Sequence, residues 1–212
     1  MLLAVDTATQ RASIALHDGH TLRGESTWEA SQRHTVTLAA HLTLLLEECG
    51  VTVTDLRAVA VCVGPGSYTG VRIGVALAQG LALARGLPLI GVSTLDILAA
   101  AQPPDTRPLY AVFAAGRKRV GYARYGYYQE HGWQVETEVA LVDGVALGAQ
   151  LTTPALLVGE LESCGAAWPA GIELPPPVWH LRRAGFLAEL AWQQLRAGVE
   201  TPSADIKPVY AA

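Results

Sequence analysis

The chain has 212 residues, half of them apolar and only 16% charged, enough for one large domain or two lobes of about 100 residues each. A net charge of −4 argues against a protein that binds nucleic acid alone, which would show a basic face. Three widely spaced cysteines, Cys49, Cys62 and Cys164, offer neither a disulfide framework nor a metal-site spacing, and the start MLLAVDT lacks the basic segment of a signal peptide, so a cytoplasmic protein with reduced thiols is expected.

Leu2 to Asp6 reads as a first strand and Ala12 to His17 as a second, joined by the Asp18-Gly19 turn to a third, Leu22 to Thr27. Ser31 is placed to cap a helix from about Arg33 to Cys49, with Gly50 as its stop. Leu38, Leu42 and Leu45 form its apolar stripe, and Leu44 and Leu46 widen that stripe beyond what one sheet would cover. Val59 to Val63 is an unbroken apolar run, as in a strand covered on both faces. The turn Gly64-Pro65-Gly66-Ser67-Tyr68-Thr69-Gly70 then opens into a helix from Gly70 to Arg85, with Ser67 or Thr69 as its cap. Only Arg72, Gln79 and Arg85 interrupt the apolar surface of that helix, which is too short and too interrupted to span a bilayer. A strand from Leu87 to Val92 completes the order β-β-β-α-β-α-β.

The Pro-rich segment 101–108, AQPPDTRP, reads as a hinge. Beyond it the order starts again: strands at Leu109 to Ala114, Arg119 to Tyr128 and Trp133 to Val139, a short helix within Asp143 to Leu151, and a strand at Ala155 to Gly159. A Pro-rich loop leads to a closing helix from about Arg183 to Arg196, stopped by Gly198. This recurrence predicts an α/β chain of two related lobes, 1–100 and 101–212, with mixed sheets flanked by helices in the style of actin-like and Hsp70-like ATPases.

Four places carry residue types suited to chemistry. The hairpin loop from Asp6 to Arg11, with Thr7 and Thr9, stands where an actin-like ATPase holds phosphate and metal, but Ala8 replaces the glycine such a cradle needs. The turn bearing Gly66, Ser67 and Thr69 precedes a helix N-terminus, a potential anion site, yet matches no phosphate-binding fingerprint. His34 and His41 are seven apart, about 10 Å along a helix, which suits no shared zinc. Arg117, Lys118 and Arg119, with Arg124, Tyr125, Tyr127 and Tyr128, form the one basic and aromatic cluster. Weak RNA contact and a solvated hairpin explain it equally well. No nucleophile–base pair or metal cluster emerges.

GPGSYTGVRIG at 64–74 closely resembles the hallmark of the TsaB (YeaZ) family. LLAVDTAT at 2–9, the SxRHTVTLAAHL pattern in the first helix, GLALARGLPLIGVSTLD at 80–96 and PVY at 208–210 follow in the family's order. The resemblance covers the first lobe over roughly its whole length and the second in outline. It implies an inactive actin-like relative of TsaD that pairs with TsaD, or with itself when alone, through the first two helices. TsaD is the subunit that transfers threonylcarbamoyl to adenosine 37 of tRNA, and the ATPase TsaE completes the complex. Carried onto this sequence, the partner interface comprises Val36, Leu38, Leu42, Leu45, Val71, Val75, Ala78 and Ala82, with no catalytic or metal residue. Asp6, Thr7, Thr9, Gly66, Ser67 and Thr69 are then the candidate nucleotide or anion contacts, with ATP or ADP at the subunit junction and tRNA reached only through the complex. The competing expectation is a small actin-like ATPase or phosphotransferase using Asp6 and the 64–70 turn. Two features depart from the family pattern: Ala114-Ala115-Gly116-Arg117 replaces an Asp-Ala-Arg segment, and the chain ends PVYAA without the usual final Arg.

Overall fold

The computed structural model describes residues 1–30, 34–162, 164, 168–198 and 205–211, with 34–36 described as backbone only. Ser31, the expected cap of the first helix, lies outside the described residues. The chain divides into two compact units, one of 1–93 with 182–209 and one of 94–181 with 210–212.

The first unit contains strands β1 (Leu2–Asp6), β2 (Arg11–His17), β3 (Leu22–Glu29), β4 (Ala58–Gly64) and β5 (Leu89–Ser93). They form one sheet in the order β3-β2-β1-β4-β5; β1, β2 and β3 are antiparallel, and β4 and β5 run parallel to β1. Side chains alternate between the faces, as the pleat requires. Leu3, Val5, Ile14 and Leu16 point to one face, where Leu38, Leu42, Leu45 and Leu46 of α1 (His34–Glu48) pack on them, flanked by Ile73, Leu77 and Leu81 of α2 (Tyr68–Arg85). Ser13 and His17 point to the other face. There α4 (Ala184–Arg196) covers the sheet with Ala184, Leu187, Ala188 and Ala191, all fully buried. The Ala184 N–H donates to Ser13 Oγ at 3.0 Å, and His17 Nε2 meets Glu189 Oε1 at 2.8 Å. Because Gly19 N–H donates to His17 Nδ1 at 2.9 Å, the proton of the neutral ring sits on Nε2.

The second unit repeats the plan. Strands β6 (Leu109–Ala114), β7 (Arg119–Tyr128), β8 (Gly132–Val135), β10 (Ala155–Gly159) and β11 (Ile172–Glu173) lie in the order β11-β10-β6-β7-β8, while β9 (Ala140–Asp143) pairs with β7. Read outward from the first strand of each unit, the two orders are the same, so the recurrence seen in the sequence is a recurrence of topology. Leu109, Ala111 and Phe113 face Leu95, Leu98 and Ala99 of α3 (Thr94–Ala100), whereas Tyr110 and Val112 face Leu147 on the other side.

Two expectations change. A helix, α3, occupies residues before the hinge to which the sequence pattern assigns no element, and the division falls at 93 rather than 100. The closing helix, expected in the second lobe, belongs to the first. The physical reason is cover: both faces of the first sheet are apolar, and α1 and α2 lie together on one of them. The other face needs a helix from elsewhere in the chain, and the smooth Ala-rich face of α4 fits it.

Candidate functional site

The loop after β1 and the turn after β4 come together, but they bind each other rather than leave a cradle. Asp6, Thr7, Ala8 and Thr9 are all buried. Asp6 Oδ1 accepts from the Ala8 N–H at 2.8 Å, and Oδ2 accepts from Arg182 Nε at 3.0 Å. Arg182, itself 5% exposed, also donates to Thr9 Oγ1 and so covers the loop with an internal cation. Thr7 Oγ1 donates to Gly70 O at 2.7 Å, and the Ser67 N–H donates to Ala8 O at 2.6 Å.

The glycines of GPGSYTGVRIG follow from this contact. A Cβ on Gly66 would lie 2.2 Å from Ala8 O, one on Gly70 2.2 Å from Thr7 O, and one on Gly74 2.4 Å from Thr7 Oγ1. These glycines let the turn and the first turns of α2 lie directly on the β1–β2 loop. Ser67 is the cap of α2, its Oγ accepting from the Gly70 N–H at 3.3 Å, while Thr69 is exposed within the first turn. The expected nucleotide or anion contacts are therefore brought together, but Asp6, Thr7, Thr9 and Gly66 are consumed by internal packing. Ser67 and Thr69 stay exposed at the start of α2. The one carboxylate of the loop is met by Arg182, a residue with no sequence signal linking it to Asp6.

The expected partner residues need a similar correction. Leu38, Leu42 and Leu45 are at most 9% exposed and sit in the core under α1. Val71, Val75, Ala78 and Ala82 are at most 3% exposed, on the side of α2 that meets the sheet. Fully burying a Leu or Val side chain contributes roughly 1.5–3 kcal/mol, so each helix turns its most continuous apolar face to its own sheet. The side chain of Val36 lies outside the described residues. The opposite surface of both helices is exposed. On α1 this exposes Ala39, Ala40, Thr43 and Leu44, the last 51% exposed. On α2 the exposed line is Arg72, Ala76, Gly80 and Leu83, with Leu83 at 81%. Small residues four apart keep this line smooth enough for another backbone to approach closely.

His41 is held by its neighbours: its ring stacks on Trp28 with centroids 3.8 Å apart, and Nδ1 lies 3.1 Å from Ser26 Oγ. No group of three or more potential metal ligands occurs among the described residues, and no helix among them is long and apolar enough to cross a membrane. In the basic and aromatic cluster, Arg124 pairs with Glu136, Tyr125 is buried with its hydroxyl on Asp96, and Tyr127 packs edge-on against Trp133. Arg117, Lys118 and Arg119 remain exposed there, and so does Tyr128, whose hydroxyl donates to Glu136 Oε1 at 3.0 Å.

Residues 27–196 match the family described as TsaD: tRNA N6-adenosine threonylcarbamoyltransferase. The chain is 37% identical over 180 residues to the tRNA threonylcarbamoyladenosine biosynthesis protein TsaB of Escherichia coli, covering 82% of this chain and 74% of that one. It is 34% identical over 160 residues to the protein of the same description from Bacillus subtilis, covering 74% and 70%. Its fold is similar to that of YeaZ from Pseudomonas aeruginosa, with a TM-score of 0.79 over 99% of both chains and 26% identity.

Proposed function

Since the chain belongs to the TsaB family of tRNA threonylcarbamoyladenosine biosynthesis proteins, on the two-lobed actin-like fold, we propose that it serves that synthesis as a non-catalytic cytoplasmic subunit. Its task is to hold TsaD in an active form through the outer surface of α1 and α2. The observation that carries this reading is the exposed apolar line of Ala40 and Leu44 on α1 with Ala76, Gly80 and Leu83 on α2. Contiguous exposed apolar surface on a protein of this size marks an interaction site, and single scattered residues do not. The same surface serves a second copy of the chain when TsaD is absent. TsaE joins the assembled pair.

The chemistry stays with the partner. Because Asp6 is neutralised by Arg182 and the 64–70 turn lies on the Asp6–Thr9 loop, this chain holds no nucleotide there by itself. ATP or ADP is held at the junction, on groups the partner supplies. tRNA is bound by the complex.

Light scattering on the chain alone, then mixed with its cognate TsaD with and without ATP, tests this reading. A homodimer that gives way to a heterodimer is expected, and Leu83→Glu or Leu44→Glu abolishes both while leaving the unfolding midpoint nearly unchanged. Heterodimer formation untouched by both substitutions overturns the assigned surface. Calorimetric titration of Mg-ATP into the isolated chain should show no stoichiometric binding; turnover lost in Asp6→Ala would instead establish the ATPase reading.

A further inference from the structure

We infer that the β6–β7 turn, Gly116 to Arg119, is a preformed contact for an RNA phosphate backbone; this rests on the role in tRNA modification proposed above. The turn is closed by the Arg119 N–H donating to Gly116 O at 3.0 Å. Its two central residues, Arg117 at φ 52° and Lys118 at φ 62°, both lie in the left-handed region, where such hairpin turns favour Asn and Gly. They are the only non-glycine residues at positive φ among the described residues. Strain of this kind persists only where the surroundings hold it, and it gathers at functional positions. Here the Ala115 N–H donates to Arg119 O at 2.9 Å and the Gly144 N–H to Lys118 O at 2.8 Å, so the shape is fixed before any ligand arrives.

Charge is the second, independent observation. Arg117, Lys118 and Arg119 are exposed, and none makes an ion pair among the described residues. Arg23, Arg107, Arg124, Arg182 and Arg183, by contrast, each meet a carboxylate. The nearby acids are otherwise engaged: Asp143, opposite Arg119 on β9, accepts from the Val145 N–H, and Glu160 accepts from the Ala114 N–H. Three consecutive uncompensated cations on a rigid tip, in a chain of net charge −4, call for a polyanion. Of the cluster's aromatic side chains, Tyr125 is buried, Tyr127 is packed on Trp133, and the exposed Tyr128 lies at the far end of β7 from the turn with its hydroxyl on Glu136. Base stacking is thus absent, and the contacts are to phosphates, adding affinity and salt dependence without sequence choice.

The test is a variant carrying Arg117→Ser, Lys118→Gly and Arg119→Thr, assembled with cognate TsaD and titrated with an unmodified tRNA transcript across a KCl series. Affinity near 0.1 M salt should fall about tenfold, and the slope of log K against log salt should shrink by about 2 to 3, close to 0.9 for each of up to three phosphates no longer neutralised. Lys118→Gly alone guards against misfolding: it relieves the left-handed strain, so its unfolding midpoint holds or rises while its affinity falls. Light scattering without RNA reads pairing separately, so a failed complex counts against the subunit reading and not against the turn. The isolated chain with the same transcript at low salt then decides, and binding lost in the triple variant supports the turn. Unchanged affinity and salt slope in both forms overturn the inference. Weakened pairing with TsaD or TsaE at unchanged tRNA affinity also overturns it, assigning the turn to an acidic protein surface.

Discussion

Gly70 occupies a point where a side chain has no room, because the atom in its way is the backbone oxygen of Thr7 rather than a movable side chain. Gly70→Ala should therefore destabilise the chain by about 2 kcal/mol or more, the usual scale of forced overpacking. Gly80→Ala is its counterpart on the same helix: nothing lies within 4 Å of its Cβ position, so it should stabilise by up to about 1 kcal/mol. Urea unfolding of the two variants separates a packing glycine from a helix-weakening one. Asp6 and Arg182 make a second residue-scale case. Removing one member of a buried pair leaves an uncompensated charge, so Arg182→Met should cost about 3–5 kcal/mol, and adding Asp6→Asn should return part of it. Identical losses in the single and double variants would mean that the ion pair contributes nothing beyond packing. Asp96 gives the pH prediction. Burial raises its carboxyl above the ordinary 3.8, and the hydrogen bond from the Tyr125 hydroxyl opposes that rise only in part. The folded state thus keeps the proton to higher pH than the unfolded chain does. The stability this contributes is fully present below 3.8 and is lost as pH rises through the folded value. Asp96→Asn should reduce the drop in unfolding midpoint between pH 4 and pH 7, as measured by thermal denaturation.

At the scale of elements, the helices show what the sequence can and cannot say. The α1 stripe of Leu38, Leu42 and Leu45 is legible from its spacing, and so is the excess represented by Leu44. Periodicity identifies an apolar face but not what covers it, and the family resemblance, which implies pairing through these helices, assigns to the partner a face that lies on the chain's own sheet. The contrast is testable on neighbouring residues. Leu42→Glu places a carboxylate in the core and should abolish cooperative unfolding, whereas Leu44→Glu, two residues on and half exposed, should stay within about 0.5 kcal/mol of the parent. Strands Leu109–Ala114, Arg119–Tyr128 and Ala155–Gly159 have the bounds the sequence pattern gives them, with Pro108 before the first and Pro154 before the last. The reading of one strand from Trp133 to Val139 fails. The ladder with β7 runs through Val135, with one further bond from the Glu136 N–H to Arg124 O, and the chain resumes pairing with β7 only at Ala140. α3 is hidden for a different reason: its seven residues carry too few turns to show a period. The Asp6–Thr9 loop reads as a phosphate loop because its residue types are right. Its closure by Arg182 depends on a partner 176 residues away, which no local pattern reports.

At the scale of the whole molecule, the first unit is assembled from both ends of the chain, with α4 returning to the face that α1 and α2 leave uncovered. Arg183 donates to Glu25 on β3 at 2.9 Å, and the Gly185 N–H donates to the same carboxylate at 2.8 Å, fixing the entry of α4 over the sheet. The last described segment adds to this: Gln79 Nε2 donates to Ile206 O at 2.9 Å, and the Val209 N–H to Val63 O at 2.7 Å. Residues 1–100, which the sequence marks as a lobe, should therefore not fold as one. Without α4 the fragment would expose one apolar face of a five-stranded sheet, and Asp6 would remain without Arg182. The fragment should bind ANS, give poorly dispersed amide resonances and unfold without a cooperative transition. Co-expression with residues 182–212 should restore dispersion if α4 is an integral layer of the unit. Cooperative unfolding of 1–100 alone would make α4 an adjunct and Arg182 dispensable. The stability of the helices that carry the docking surface would then be local, and Arg182→Met would leave pairing with TsaD unchanged. With α4 as an integral layer, pairing should instead weaken in step with the stability of the first unit.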